Sequence, residues 1–187
     1  MLEFWLELAK RHQLPIHIIS REGKEVLHEF LETWKEENLW ELTLQILPQL
    51  RGEWPSTVLA SQAFWQGQNI LGLPDTYFEK EIDFCWLVAK LEQNASPLNL
   101  LLHELTQGEL PSRWGMVDVN NKHKISWFEK PNDHWPSLFA WGLFSFSQEM
   151  GVELFQKLEW STQNQRPFGL AIDYSWRRLS LFRDLTR

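Results

Sequence analysis

At 187 residues, 43% of them hydrophobic, the chain is long and apolar enough to bury a core, which excludes general disorder. Its 18 basic and 25 acidic side chains leave a net charge of −7 with no basic block, which excludes a nucleic-acid binder held by electrostatics. The single cysteine, Cys85, excludes an internal disulfide and suits a reducing, cytoplasmic setting, and no apolar run nears the ~20 residues of a membrane span.

Leu2, Trp5, Leu8 and Ala9 fall near helical spacing and predict a helix over 2–12. After Pro15, I-H-I-I reads as a short buried strand, and Val26, Leu27, Phe30, Leu31 and Trp34 predict an amphipathic helix over 22–36. The acids of that region, Glu22 to Glu41, read as its solvated face. Residues 40–47 alternate as a strand, 55–64 form a short helix, and Ile70–Leu73 run as a strand that breaks at Pro74. A helix over 78–93 presents Phe78, Ile82, Cys85, Trp86 and Ala89 on one face, so Cys85 reads as a small core residue. Leu98–Leu105 is a strand. The order so far, helix and strand in alternation, predicts an α/β fold with a mostly parallel sheet covered by helices.

Beyond residue 110 the texture changes. W-G-M-V-D-V and K-I-S-W-F-E, joined by a polar turn, predict an antiparallel hairpin over 114–119 and 124–129, a lid over the first half. A strand over 139–146, a helix over 147–159 and strands over 169–175 and 178–184 complete the chain. The twelve tryptophans show no fixed period and read mostly as core. The six histidines lack metal-ligand spacing, and His17 reads as a satisfied buried histidine.

Asp75 follows the strand that breaks at Pro74, and Asp184 follows an alternating run, L-S-L-F-R. Carboxylates at the carboxyl ends of strands in an α/β sheet are well placed to hold one hard divalent cation.

Three motifs then stand in order: L-P-D-T-Y-F at 73–78, W-G-M-V-D-V to F-E-K-P at 114–131, and F-R-D-L-T at 182–186. Together with F-A-W-G-L-F-S-F-S they resemble the sugar-1-phosphate nucleotidyltransferase family, whose members make nucleotide sugars such as dTDP-glucose. The resemblance implies a Rossmann-like mixed sheet, mostly parallel and flanked by helices, formed by residues 1–187 as one domain that is incomplete at both ends. It implies in-line attack of a sugar 1-phosphate oxygen on the α-phosphorus of a nucleoside triphosphate, with release of pyrophosphate. It also implies Mg²⁺ on Asp75 and Asp184, sugar hydroxyls on Glu129 and the sugar phosphate on Lys130. Gly115 matches a glycine that lets the backbone approach the sugar, and Gln49, preferred over Gln45, matches the glutamine that reads the base.

The chain departs from the family pattern at two places. The family's glycine-rich triphosphate loop has no counterpart among nine isolated glycines, and Asp184-Leu185-Thr186 is one residue short of the usual Asp-x-Gly-Thr. The family's first strand would lie between those ending near Ser20 and Asp75. Its place is filled by direct closure of those two strands, by a partner, or by chain upstream. Three readings therefore stay open: the enzyme, a non-catalytic nucleotide-sugar-binding or regulatory relative, and a structural interaction domain. A chain so rich in aromatics with an incomplete sheet is also expected to form a homo-oligomer.

Overall fold

A computed structural model describes residues 2–48, 54–74, 76, 78, 81–93, 96–121, 124–132 and 135–178. It divides into two compact units, Met1–Phe64 and Trp65–Arg187.

The first unit runs α1 (Leu2–Arg11), β1 (Ile16–Arg21), α2 (Glu25–Asn38), β2 (Leu42–Leu47), α3 (Trp54–Leu59) and a 3-10 turn at Gln62–Phe64. Parallel strands need a crossover, and α2 supplies it. Strands β1 and β2 pair in parallel from Ile16 opposite Leu42 to Arg21 opposite Leu47. Leu6, Leu31, Trp34 and Leu42 form the buried core, with Leu27, Phe30 and Ile18 packed against it. Val26, expected on that apolar face, is exposed instead, because it lies in the first turn ahead of the buried stripe. The acids Glu25, Glu29, Glu32, Glu36 and Glu37 are all exposed. Helix α2 ends at Leu39 in the left-handed conformation, φ 50°.

The second unit runs β3 (Gln68–Gly72), α4 (Glu81–Gln93), β4 (Leu98–Glu104), β5 (Gly115–Asn121), β6 (Lys124–Glu129), β7 (Phe139–Ser147), α5 (Gln148–Asn164), β8 (Phe168–Leu170) and β9 (Tyr174–Arg178). Its seven strands form one sheet in the order β8-β6-β5-β7-β4-β9, with β3 also on β7. This corrects the expectation of a mostly parallel sheet: among the described residues of the main sheet only β4 and β9 pair in parallel, and the other pairings are antiparallel. The reason is β7. Strands β3 and β4 point the same way, as the helix between them requires, but β7 separates them and runs against both. The hairpin β5–β6 is likewise no lid, since β5 joins the same sheet through Met116 opposite Ala140.

Strands 98–105, 124–129 and 139–146 lie where their apolar runs predict them, within a residue at either end. The strand expected over 169–175 is instead split into β8 and β9, and residues 179–184 of the last predicted strand lie outside the described residues. Expected helix 55–64 is likewise shorter, broken into α3 and the 3-10 turn. Among the described residues no helix is long and apolar enough to cross a membrane.

Helix α5 covers one face of the sheet. Leu154, Phe155 and Leu158 are fully buried there with Phe144 and Trp127. Ser147 caps the helix by accepting from the Met150 N–H at 3.2 Å. Gly151 allows the close approach, because a Cβ there would stand 2.5 Å from the Phe146 ring and 2.8 Å from Trp65. Cys85, expected in the core, is half-buried. Helix α4 is tied to β9 by Asp83, buried, whose Oδ1 lies 3.3 Å from Arg177 Nε.

A row of polar side chains crosses the middle of this apolar sheet. Asn99 on β4 stands opposite Ser145 on β7 and Ser175 on β9. Its Nδ2 donates to Ser145 Oγ at 2.9 Å, and its Oδ1 accepts from Ser175 Oγ. A slip of one residue would break both bonds and turn the side chains to the other face, so the row pins the register. Asn99→Leu, which strands the buried Ser145 hydroxyl, should cost about 1–3 kcal/mol, read as a lower urea midpoint with an unchanged m-value; an unshifted midpoint would refute this role.

Candidate functional site

Register along β7 assembles the candidate site. Gly72, the last residue of β3, pairs with Leu143, and Met116 of β5 pairs with Ala140. Both partners lie on the same edge of β7, because β4 occupies the other edge along its length. The end of β3 therefore abuts the start of β5, about 10 Å apart along the strand at ~3.4 Å per residue. Gly115 opens β5 and stands opposite Glu129, which closes β6. The level of Gly72 runs on through Leu143 and Leu101 to Arg177 of β9, which points the same way as β3. Asp75 follows β3 by three residues and Asp184 follows β9 by six, and both lie outside the described residues, as does Gln49.

Glu129 is 5% exposed. Its Oε1 accepts hydrogen bonds from two indoles, Trp127 Nε1 and Trp141 Nε1, both at 2.8 Å. Trp127 and Glu129, two apart on β6, face the same side of the sheet. Trp141 comes from β7 and reaches over β5. The path is open because residue 115 is glycine: a Cβ there would overlap the Trp141 indole nitrogen and Glu129 Oε1. The need for glycine is thus met by contacts within the protein itself. Gly115→Ala should cost about 1–3 kcal/mol and break the Trp141 bond, read as a lower melting temperature and a changed indole N–H resonance. A variant as stable as the parent would show that the ring moves freely.

Lys130 leaves the strand at once. Its backbone is left-handed, φ 51°, an uncommon state for a lysine, and its N–H donates to Trp114 O at 2.9 Å. The side chain is exposed while Glu129 is buried, and Pro131 behind it is buried too. The structure thus brings Gly115, Glu129 and Lys130 together.

The loop leading into β5 carries a polar cluster that the sequence did not announce. Thr106 and Glu109 close a turn with Gly108 at φ 96°, and Glu109 Oε2 accepts from the Thr106 N–H at 2.6 Å and its hydroxyl at 2.8 Å. His103, buried on β4, places Nε2 3.1 Å from both Glu109 oxygens and packs its ring against Trp114 at 5.5 Å. Burial alone would raise the Glu109 carboxyl, but the Thr106 donors and His103 outweigh it and hold the group below its ordinary 4.5. A folded value below the unfolded one gives stability that is full above about 4.5 and lost as pH falls through the lowered value. Glu109→Gln should therefore cost about 1 kcal/mol near neutral pH, discounted for its partial exposure, and the gap should close on acidification; urea titrations at both pH values check this.

In the first unit Gln45 is engaged at both ends of its amide. Its Oε1 accepts from His17 Nε2 at 3.0 Å and its Nε2 donates to Ala60 O at 3.1 Å. His17 also stacks on Phe64, and its Nδ1 is buried without a partner, so it is only half satisfied. Burial lowers its pKa against the smaller, opposing pull of Gln45.

Trp127 and Trp141 were missed as site residues because twelve tryptophans offered no way to separate core from function. The one available signal was the two-residue spacing of Trp127 from Glu129.

This is an α/β fold similar to that of sugar nucleotidyltransferases. The chain belongs to the nucleotidyl transferase family, whose model matches residues 1–182. Among solved structures it resembles a Bacillus anthracis protein described as a glucose-1-phosphate thymidylyltransferase, in complex with sucrose, at 15% identity and a TM-score of 0.67, covering 97% of this chain and 74% of that one. It also resembles UDP-glucose pyrophosphorylase complexed with UDP-glucose, at 13% identity and a TM-score of 0.64, covering 96% and 78%. The apo form of UDP-glucose pyrophosphorylase aligns at 12% identity and 0.60, covering 96% and 79%. At such identities the likeness is one of fold. No curated protein matches the sequence.

Proposed function

We propose that residues 1–187 act as one nucleotidyltransferase-like domain that handles a sugar 1-phosphate and a nucleotide. The reading is carried by one observation: the register of β7 sets the end of β3 beside the Glu129–Lys130 turn, with a buried acceptor and an exposed cation on adjacent residues. Glu129 would orient sugar hydroxyls, and Lys130 would meet the sugar phosphate, whose oxygen attacks the α-phosphorus as pyrophosphate leaves. Catalysis of this kind is mainly positioning and charge neutralisation. Gly115 contributes by making room for the hydrogen bond to Glu129, and Gln49 is kept for the base because Gln45 is engaged elsewhere.

Asp75 and Asp184 are the residues that would hold Mg²⁺. Their hard oxygen donors suit that ion, and the strands they follow run in the same direction with paired levels. When bound, the ion supplies neutralisation of phosphate charge.

A second reading, a nucleotide-sugar-binding relative without turnover, is favoured by one observation: none of the nine glycines forms a Gly-x-Gly run that could cradle a triphosphate. Both readings expect Mg²⁺ with UDP-glucose or dTDP-glucose to stabilise the folded chain by about 2.7 kcal/mol at a ligand concentration of 100 Kd, read as a higher melting temperature. Asp75→Ala and Asp184→Ala should remove the Mg²⁺-dependent part. Pyrophosphate release from a nucleoside triphosphate and glucose 1-phosphate separates the enzyme from the binder. No shift with any nucleotide sugar would refute both.

A further inference from the structure

We infer that Trp127 and Trp141 are positioning residues: their indole N–H groups hold the Glu129 carboxylate in one orientation and so determine recognition of the sugar part of the ligand. The inference rests on the proposed function, in which Glu129 meets the sugar, and adds residues to that site.

Both indoles are nearly sealed from solvent, Trp127 at 0% and Trp141 at 6% exposure. A buried indole N–H without an acceptor is costly, and apolar packing alone would be served equally well by phenylalanine. Here two such donors, from different strands, converge on one oxygen. Hydrogen bonds to a charged acceptor are about twice as strong as neutral ones, and a pair of them on one oxygen restricts rotation of the carboxylate. Each ring is itself immobilised. Trp127 lies edge-on to Phe144 at 5.4 Å and stacks along Phe168 at 6.5 Å. Trp141 meets Phe144 at 5.3 Å and Trp127 at 6.0 Å. The donors are therefore held in place, and reorganisation of the acid on binding is small. Gly115, between the two strands, is the gap through which Trp141 reaches it.

The test is a pair of substitutions that keep a ring and delete the donor, Trp127→Phe and Trp141→Phe. Dissociation constants would be measured by calorimetry for UDP-glucose against UDP, and for dTDP-glucose against dTDP. In the parent chain the sugar tightens binding. Each variant should lose about tenfold of that gain, equivalent to one charged hydrogen bond, while affinity for the nucleoside diphosphate stays within about twofold.

Unchanged sugar gain in folded variants would overturn the inference. So would equal losses for the diphosphate and its sugar, which mark a purely structural role. If either variant fails to fold, ¹⁵N-indole spectra of the parent and of Glu129→Gln decide: two indole N–H resonances should move on that substitution, and none moving would overturn the inference. A parent chain whose binding gains nothing from the sugar overturns the proposed function and this inference with it, even where the indole resonances respond.

Discussion

Everything in the larger unit hangs on the hydrogen bonding of β7. At Leu143 it is paired on one edge with Gly72 and on the other with Leu101, and at Ala140 with Met116 and His103. A single strand thus joins three chain segments that are far apart in sequence. Because β3 and β5 share one edge, the carboxyl end of the first meets the amino end of the second. The polar row through Asn99 matters for the same reason: a sheet this apolar on both faces has little else to choose one register over its neighbour.

The second constraint is the burial of Glu129. A carboxylate cannot leave water without donors to replace it, and this one is met by two tryptophans and a missing side chain at residue 115. The next residue turns the opposite way. Lys130 takes a left-handed backbone, held by the Trp114 carbonyl, and leaves the sheet for solvent. One step of the chain thus separates a buried acceptor from an exposed cation. Trp114 in turn is packed on His103, whose partner Glu109 closes the preceding turn, so the support of the lysine extends back into β4.

Much of this could be read from the residues in order. Ile70–Leu73, Leu98–Leu105 and the hairpin flanking 122–123 are apolar runs bounded by proline, glycine or polar turns, and those local rules suffice. The Glu-Lys-Pro turn was legible as well, since a proline without an N–H cannot continue the interior of a paired strand. The partner of F-A-W-G-L-F-S-F-S was not legible. A continuous apolar strand shows that both faces are covered but not which neighbours it has, and alternation of helix and strand pointed wrongly to parallel neighbours.

Helix and strand periodicity, the location of Glu129 and Lys130 at a strand end, and the family motifs were set by the amino-acid sequence, because each depends on residues within a turn or two of one another. Sheet order, the engagement of Gln45 by His17 and Ala60, and the convergence of Trp127 and Trp141 on one oxygen were decided only by the tertiary structure. Those depend on which distant strands lie side by side, and hydrophobic pairing is non-directional, so long-range register is chosen by the whole packed sheet.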